Sequence, residues 1–507
     1  MKTYHTIKTL ALGGIAMFSL ASCSLDYEPL SEPSEITQGG QTETSTAVLK
    51  DKAAADAQLK SLYELFRNRQ EHTHLDYLLI GDSHSDNAYA GTTGAEVVPY
   101  ETNSIDASNS VLSRDWNRYL EDIAQANVLI NGVEQLKENG QISEAEYHSY
   151  KAQGEIFRAL MMFRMARLWG SFPVITTIAK TITSENINEV YPTYYPPRKT
   201  PKECYEQIIA DLTDAEQYAP DNDNSDRTKM TKTVAQAMLA KVYAEKEVQD
   251  YDKVIAYADK VMNTTGVELE DSYETLWGYD ETAIDCMKRN TKEGILEVHW
   301  SGGGNWETWM YGRQLDNWDY YFTWAKWITP SRDIINDFDK EGDEVRKNQA
   351  IVYYACTWSN YYPASNYPFM YKLRSSYNNV YWVRLADIIL MKAEAEAYKG
   401  NLAESAKLVN QIRKRAKLKE LTADKTGSKE AMIEAVLHER RLELAFEGER
   451  WFDLCRNNKV EKYLNGIDNR DSGRIRQVRQ FDSNSYLLPI PQTALDQNTN
   501  LEQNPGY

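Results

Sequence analysis

Cysteine is scarce in this chain of 507 residues, five in all, and histidine is little commoner at seven. The cysteines stand at 23, 204, 286, 356 and 455, with no Cys-x-x-Cys pair and none near histidine at zinc-ligand spacing. That pattern gives no support to a zinc module or a dithiol redox site. The four beyond Cys23 allow three disulfide pairings, but a chain this long has a core large enough not to need them, and buried thiols are expected. Positive charge is also in deficit. Lys and Arg number 57 against 75 Asp and Glu, a formal charge of −18, which argues against nucleic acid because phosphate neutralisation requires a basic surface. Catalytic signatures are missing as well: there is no Gly-x-Ser-x-Gly elbow, no His-Glu-x-x-His and no Gly-x-x-x-x-Gly-Lys phosphate loop. Carboxylate pairs of the kind glycosidases use carry no information among 75 acids. His72, His74 and His84 are close enough in sequence to weigh as metal ligands or acid–base groups, although an isolated loop histidine is usually solvated. The reading is a protein that is not an enzyme and takes no cofactor; no residues are assigned to a metal, and the sequence leaves a structural metal open.

Long apolar runs are absent after residue 22, and no later segment approaches a membrane span. Before that point Lys2 and Lys8 precede an apolar stretch from Leu10 to Ala21, the pattern of a secretory leader. Leu20-Ala21-Ser22-Cys23 resembles a bacterial lipobox, which implies lipidation of Cys23 and a membrane anchor of several acyl chains. Residues 24–46, rich in Ser, Thr, Pro, Glu and Gly, read as a flexible tether. The division is therefore 1–22 leader, 23–46 lipidated cysteine and tether, and 47–507 a single α domain.

Within 47–507 helical periodicity dominates. Leu59, Leu62, Tyr63 and Phe66 recur at steps of three and four, and helices are predicted over 113–138, 143–169, 201–218, 232–248 and 251–263. Two stretches align without gaps at an offset of 151: Leu239 with Leu390, Tyr251 with Leu402, Ile255 with Ala406, Ala258 with Val409 and Val261 with Ile412. Each is a helix, a short turn and a second helix, the spacing of tetratricopeptide-like units that must stack to bury their apolar faces. The fold class is mainly α, a tetratricopeptide-like helical-pair scaffold with long irregular loops and a few short strands. Loops 81–109, 170–200 and 264–383 are too long to be connectors and are the expected ligand-binding insertions.

What the chain has in excess is Tyr and Trp, 34 and 12 against 11 Phe. Both join a flat apolar face to a polar handle. Six of the twelve tryptophans fall within residues 300–327, with Ser301-Gly302-Gly303-Gly304-Asn305 and Asp316-Asn317 interleaved. A strand over 293–300 leads in and a helix over 330–338 leads out. No period organises the rings between, so they cannot all face one core. A sugar ring offers a C–H face to such aromatics and hydroxyls to the polar neighbours. The stacking candidates are Trp306, Trp309, Trp318, Tyr320, Tyr321 and Trp324, and the polar candidates Asp82, Asp86, Asn87 and Asp316.

Glu439-Arg440-Arg441-Leu442-Glu443-Leu444-Ala445-Phe446-Glu447-Gly448-Glu449-Arg450-Trp451-Phe452-Asp453-Leu454-Cys455-Arg456 resembles the signature of the SusD/RagB family of Bacteroidetes outer-membrane lipoproteins. Pro489-Ile490-Pro491 followed by Asn500 to Tyr507 is similar to that family's terminus, Cys23-Ser24-Leu25-Asp26 with Pro29 to its mature start, and Arg384-Leu385-Ala386-Asp387 to its repeat helix. Thr499 stands where the family commonly has Pro. Read physically, 429–456 is an amphipathic helix with Ile433, Leu437, Leu444, Trp451 and Leu454 inward and Arg–Glu pairs at spacings of three and four, a structural element and not the site. The resemblance implies a cell-surface, outer-membrane lipoprotein that captures oligo- or polysaccharide and delivers it to a SusC-like TonB-dependent transporter. It leaves open capture of peptides or protein fragments for a RagA-like transporter, or a structural lid subunit that binds little.

Overall fold

The computed structural model describes residues 49–91, 94–301, 327–356, 358–375 and 377–507. Cys23, the leader and the tether lie outside them. Among the described residues no helix is long and apolar enough to cross a membrane.

Among the described residues, six helices of twelve residues or more form the first half: α1 (Lys52–Asn68), α2 (Ser110–Glu138), α3 (Glu144–Trp169), α4 (Pro201–Tyr218), α5 (Lys232–Ala244) and α6 (Tyr251–Met262). Each packs on the next in order. Their starts lie close to where the periodicity begins because caps mark them. The Asp51 carboxylate accepts from Ala54 N, and Ser143 and Thr200 form reciprocal capping boxes with Glu146 and Glu203. Pro201 follows Thr200 at the first helical position, where its missing N–H costs nothing. Helix α5 stops at Ala244, short of the predicted Val248. Glu245 turns to extended backbone there and accepts from buried Arg167 Nε at 2.9 Å.

The second half contributes α7 (Arg332–Glu341), α8 (Leu385–Lys399), α9 (Leu402–Arg415), α10 (Lys429–Glu443) and α11 (Arg450–Arg456). The pair α5–α6 and the pair α8–α9 are the two repeats read from the sequence, and α6 packs directly on α8. Leu239 and Leu390, Ala258 and Val409, and Val261 and Ile412 are all fully buried, while Tyr251, Leu402, Ile255 and Ala406 pack partly exposed around them. Residues at matching repeat positions thus bury equivalent faces.

The short strands form antiparallel pairs: β1 (Ala88–Tyr89) with β3 (Thr329–Pro330), β2 (Gly294–His299) with β6 (Asn379–Arg384), and β4 (Ile351–Tyr354) with β5 (Tyr367–Met370). The four described cysteines are free thiols, Cys204 buried and Cys286, Cys356 and Cys455 half-buried.

Two expectations need correction. The signature segment is not one helix: α10 ends at Glu443 and α11 begins at Arg450, with Phe446 (φ 61°) and Gly448 (φ 81°) between in left-handed backbone. The inward set holds nonetheless, since Ile433, Leu437, Leu444, Trp451 and Leu454 are all buried. Its charges pair mainly between elements. Glu443 accepts from Arg384 Nη1 at 2.6 Å and also binds Arg415, and Arg346 Nη1 reaches Glu439 at 2.7 Å, all inside the protein. The segment 81–109 does not begin as a surface loop either. Residues 79–83 continue a wide helical turn from 76–78, and residues 81–91 are all buried.

Candidate functional site

The aromatic residues proposed for stacking, Trp306, Trp309, Trp318, Tyr320, Tyr321 and Trp324, and Asp316 with them, lie outside the described residues. Both ends of their segment are held by the fold. On the entry side β2 pairs with β6, Trp300 is buried, and its N–H donates to Asn378 O at 3.0 Å. The Trp300 ring meets His74 edge-on at 5.8 Å. On the exit side Ile328 is buried and Thr329–Pro330 pairs with Ala88–Tyr89. Tyr362 Oη donates to Pro330 O at 2.8 Å, and Tyr361 stacks on Tyr89 with centroids 4.5 Å apart. The segment is therefore clamped at both ends by sheet pairing and buried rings.

Asp82, Asp86 and Asn87 were expected to touch ligand, and the structure gives them another task. All three are fully buried. The Asp82 carboxylate accepts from Asn87 Nδ2 at 2.8 Å, Phe446 N at 3.1 Å and Gly448 N at 3.0 Å, so it caps the break between α10 and α11. Burial raises its pKa to about 7, against the pull of those donors. Asp86 takes a two-pronged contact from Arg450, Nε at 2.8 Å and Nη2 at 2.9 Å, and burial, which would raise it, is outweighed by Arg441 and Arg450, which hold it well below the carboxylate range. Asn87 Oδ1 accepts from Arg441 Nε at 2.9 Å. A group so committed has no lone pair or surface left for a sugar.

Of the three histidines weighed above, His72 and His84 are buried and His74 is half-buried. His72 Nε2 lies 2.8 Å from Asp122, and burial pushes His74 down to about 3 and His84 to about 4, so the latter two are neutral near pH 7. Among the described residues no three His, Cys, Asp or Glu side chains are grouped to hold a metal ion.

A cleft that sequence reasoning missed opens where β2 ends. It encloses about 240 Å³ between the C-terminal half of α1 and residues 297–299, and is lined by Lys60, Tyr63, Glu64, Phe66, Arg67, Thr228 and His299 among others. Tyr63 is fixed there by its hydroxyl, which donates to Gln153 Oε1 at 2.6 Å and accepts from Met230 N at 3.0 Å. Burial raises that phenol above its ordinary range. Glu297 is buried and saturated by Asn290 N, Thr291 N and Thr291 Oγ1 at 2.7–2.8 Å, and His299 Nε2 lies 2.9 Å from it. With the carboxylate as acceptor, Nε2 carries the proton, and the imidazole is 20% exposed. In the sequence Tyr63 and Phe66 read only as core positions of a helix, and nothing in the linear order ties them to His299.

Two family models match this chain in tandem: one described as starch-binding, associating with outer membrane, over residues 41–244, and the SusD family over residues 307–507. The chain belongs to the SusD/RagB family. SusD-like protein P2 of Formosa agariphila is 27% identical over 440 residues, 79% of this chain and 81% of that protein. The structure of a laminarin-binding SusD-like protein superposes with a TM-score of 0.69 at 23% identity, covering 90% of this chain and all of that one. Surface glycan-binding protein A from Bacteroides fluxus gives 0.70 at 21% identity, covering 90% and 99%. At these identities the likeness establishes the SusD fold. In this SusD-family chain the 439–456 signature is internal scaffolding, since Arg440, Arg441, Glu443, Arg450 and Arg456 are all buried and paired.

Proposed function

We propose that this SusD-family chain is a lipid-anchored, cell-surface glycan-binding protein that captures oligo- or polysaccharide and passes it to a SusC-like TonB-dependent transporter, without covalent chemistry. The observation that carries the reading is the concentration of Trp and Tyr in a segment clamped at both ends, 300–327, in a chain whose family model is described as starch-binding and outer-membrane-associating. Laminarin and surface-glycan binding in two structural neighbours supports the same class of ligand. Indole and phenol faces hold a sugar by its C–H face, and interleaved Gly, Asn and Asp reach its hydroxyls. Capture would proceed by differential affinity between the open and closed forms of the transporter complex.

The test uses a soluble chain starting after Cys23, with Trp306, Trp309, Trp318 and Trp324 replaced by Ala. Retention in polysaccharide-containing native gels should fall at least about tenfold with the circular dichroism spectrum unchanged, since each aromatic platform contributes on the order of 1 kcal/mol. Full retention by the variant would refute the aromatic-platform reading. Copurification of a TonB-dependent barrel with the native lipidated chain checks the partner.

A further inference from the structure

The cleft beside β2 has a composition of its own. Its lining joins the apolar or aromatic Tyr63, Phe66 and Val298 to donors and acceptors from Lys60, Glu64, Arg67, Thr228 and His299. The Tyr63 hydroxyl is used up by Gln153 and Met230, so the residue offers a face and no polar group. Phe66 is immobilised against Phe157 and Trp382, with centroids 4.9 and 5.0 Å away. Aromatic and apolar groups lining one cleft with mixed donors and acceptors suit a ring that carries C–H faces and hydroxyls able both to give and to take hydrogen bonds.

Size and charge narrow the choice. At about 240 Å³ the cleft has room for a pyranose ring. Lys60 lies 3.7 Å from Glu64, and Arg67 is exposed with no side-chain partner among the described residues. Against those two cations stand Glu64, the buried Glu297 beneath His299, and Asp226, whose charge is felt at the Tyr63 hydroxyl. Carboxylate and sulfate recognition calls for converging guanidinium or ammonium groups, and this cleft brings no excess of them. The whole chain, at −18, adds a field that repels polyanions.

We propose that the cleft formed by Tyr63, Phe66, Arg67 and His299 seats one neutral sugar ring of the captured glycan, and that sulfated and uronic-acid polymers are refused. The inference rests on the glycan-capture reading and adds the ligand's class and a contact made by residues outside the 300–327 set. Arg67 donates to ring hydroxyls, Glu64 and the unprotonated His299 Nδ1 accept from them, and Glu297 fixes the imidazole.

The experiment is native affinity electrophoresis of the soluble chain against neutral polysaccharides (laminarin, starch, xylan, mannan) and acidic ones (polygalacturonate, alginate, carrageenan), at low and at 300 mM salt. The expected result is retention by at least one neutral polymer, varying less than about twofold with salt, and none by the acidic set. Arg67→Ala combined with His299→Ala should weaken that retention about tenfold, the scale of hydrogen bonds to charged groups, and Arg67→Ala alone, at an exposed position, should weaken it measurably. Salt-sensitive retention by an acidic polymer overturns the proposal. Undiminished retention in the Arg67/His299 variant, with loss in the tryptophan variant, overturns the cleft and leaves glycan capture standing. Retention of no polysaccharide by the unmodified chain overturns both.

Discussion

His84 illustrates how much a single residue's meaning depends on distant chain. In the sequence it neighbours Asp82, Asp86 and Asn87 and looks like part of a polar surface loop. Folded, it is 3% exposed between Tyr100 and Trp451, and its Nδ1 lies 2.6 Å from the Tyr100 carbonyl, to which it donates. Burial lowers its pKa from 6.5 to about 4. The unfolded chain therefore takes up a proton near pH 6.5 that the folded chain refuses until about 4, and the stability tied to neutral His84 is lost as pH falls through that window. His84→Gln keeps an N–H donor for the Tyr100 carbonyl but cannot titrate. Urea midpoints should show the wild type's advantage over the variant shrinking by about 2–3 kcal/mol between pH 7 and pH 4.5. A pH-independent difference would show that His84 is not held neutral by burial. The same distance in sequence hides Asp82 and Asp86, whose partners Gly448 and Arg450 lie more than 360 positions away. Residue type and local pattern are legible in one dimension; partners at that separation are not.

At the scale of elements the helices were readable wherever a cap or a proline marks the boundary, as at Ser143 and Thr200-Pro201, and the offset repeat exposed the pairs α5–α6 and α8–α9. The α10–α11 break was not, because Leu444 and Trp451 keep a helical spacing across a non-helical turn. What forces the break is tertiary: a carboxylate from residue 82 caps it, and Gly81 passes so close that a Cβ there would lie 2.2 Å from Gly448 O. Gly81→Ala should therefore push the two backbones apart, at a cost of about 1–3 kcal/mol or more, and lower the melting temperature by several degrees. Gly140→Ala is the control. Gly140, unlike Gly81, has positive φ, and nothing lies within 4 Å of its Cβ position, so only the backbone term of about 1–2 kcal/mol applies there. An unchanged melting temperature in Gly81→Ala would contradict the steric account of the break. The cleft belongs to this scale too: it is made by the end of α1 meeting the end of β2, a junction that neither element announces alone.

Across the whole molecule, the two family models divide the chain at the stretch between residues 244 and 307, yet the hydrophobic core makes no such division. A single cluster runs from Leu49 through α1 to α6 and on through α8 to Ala494, and the α6–α8 contact joins one repeat to the other. Helix α8 is the hub, packing on α5, α6, α9 and α10, with Leu390 fully buried at its centre. Continuous burial of this kind couples the halves, because neither can lose its packing without exposing the other's apolar face. Buried charge strengthens the coupling within the second half, where Glu443 binds Arg384 and Arg415 and any one removed leaves the rest uncompensated. Leu390→Ala should cost about 2–5 kcal/mol and move the calorimetric transition down as one peak. Leu239→Ala, at the matching repeat position in the other half, should move the same peak. Two peaks, with each substitution displacing only its own, would mean that the halves recognised by the two family models fold as separate units and that the scaffold is hinged at the α6–α8 contact.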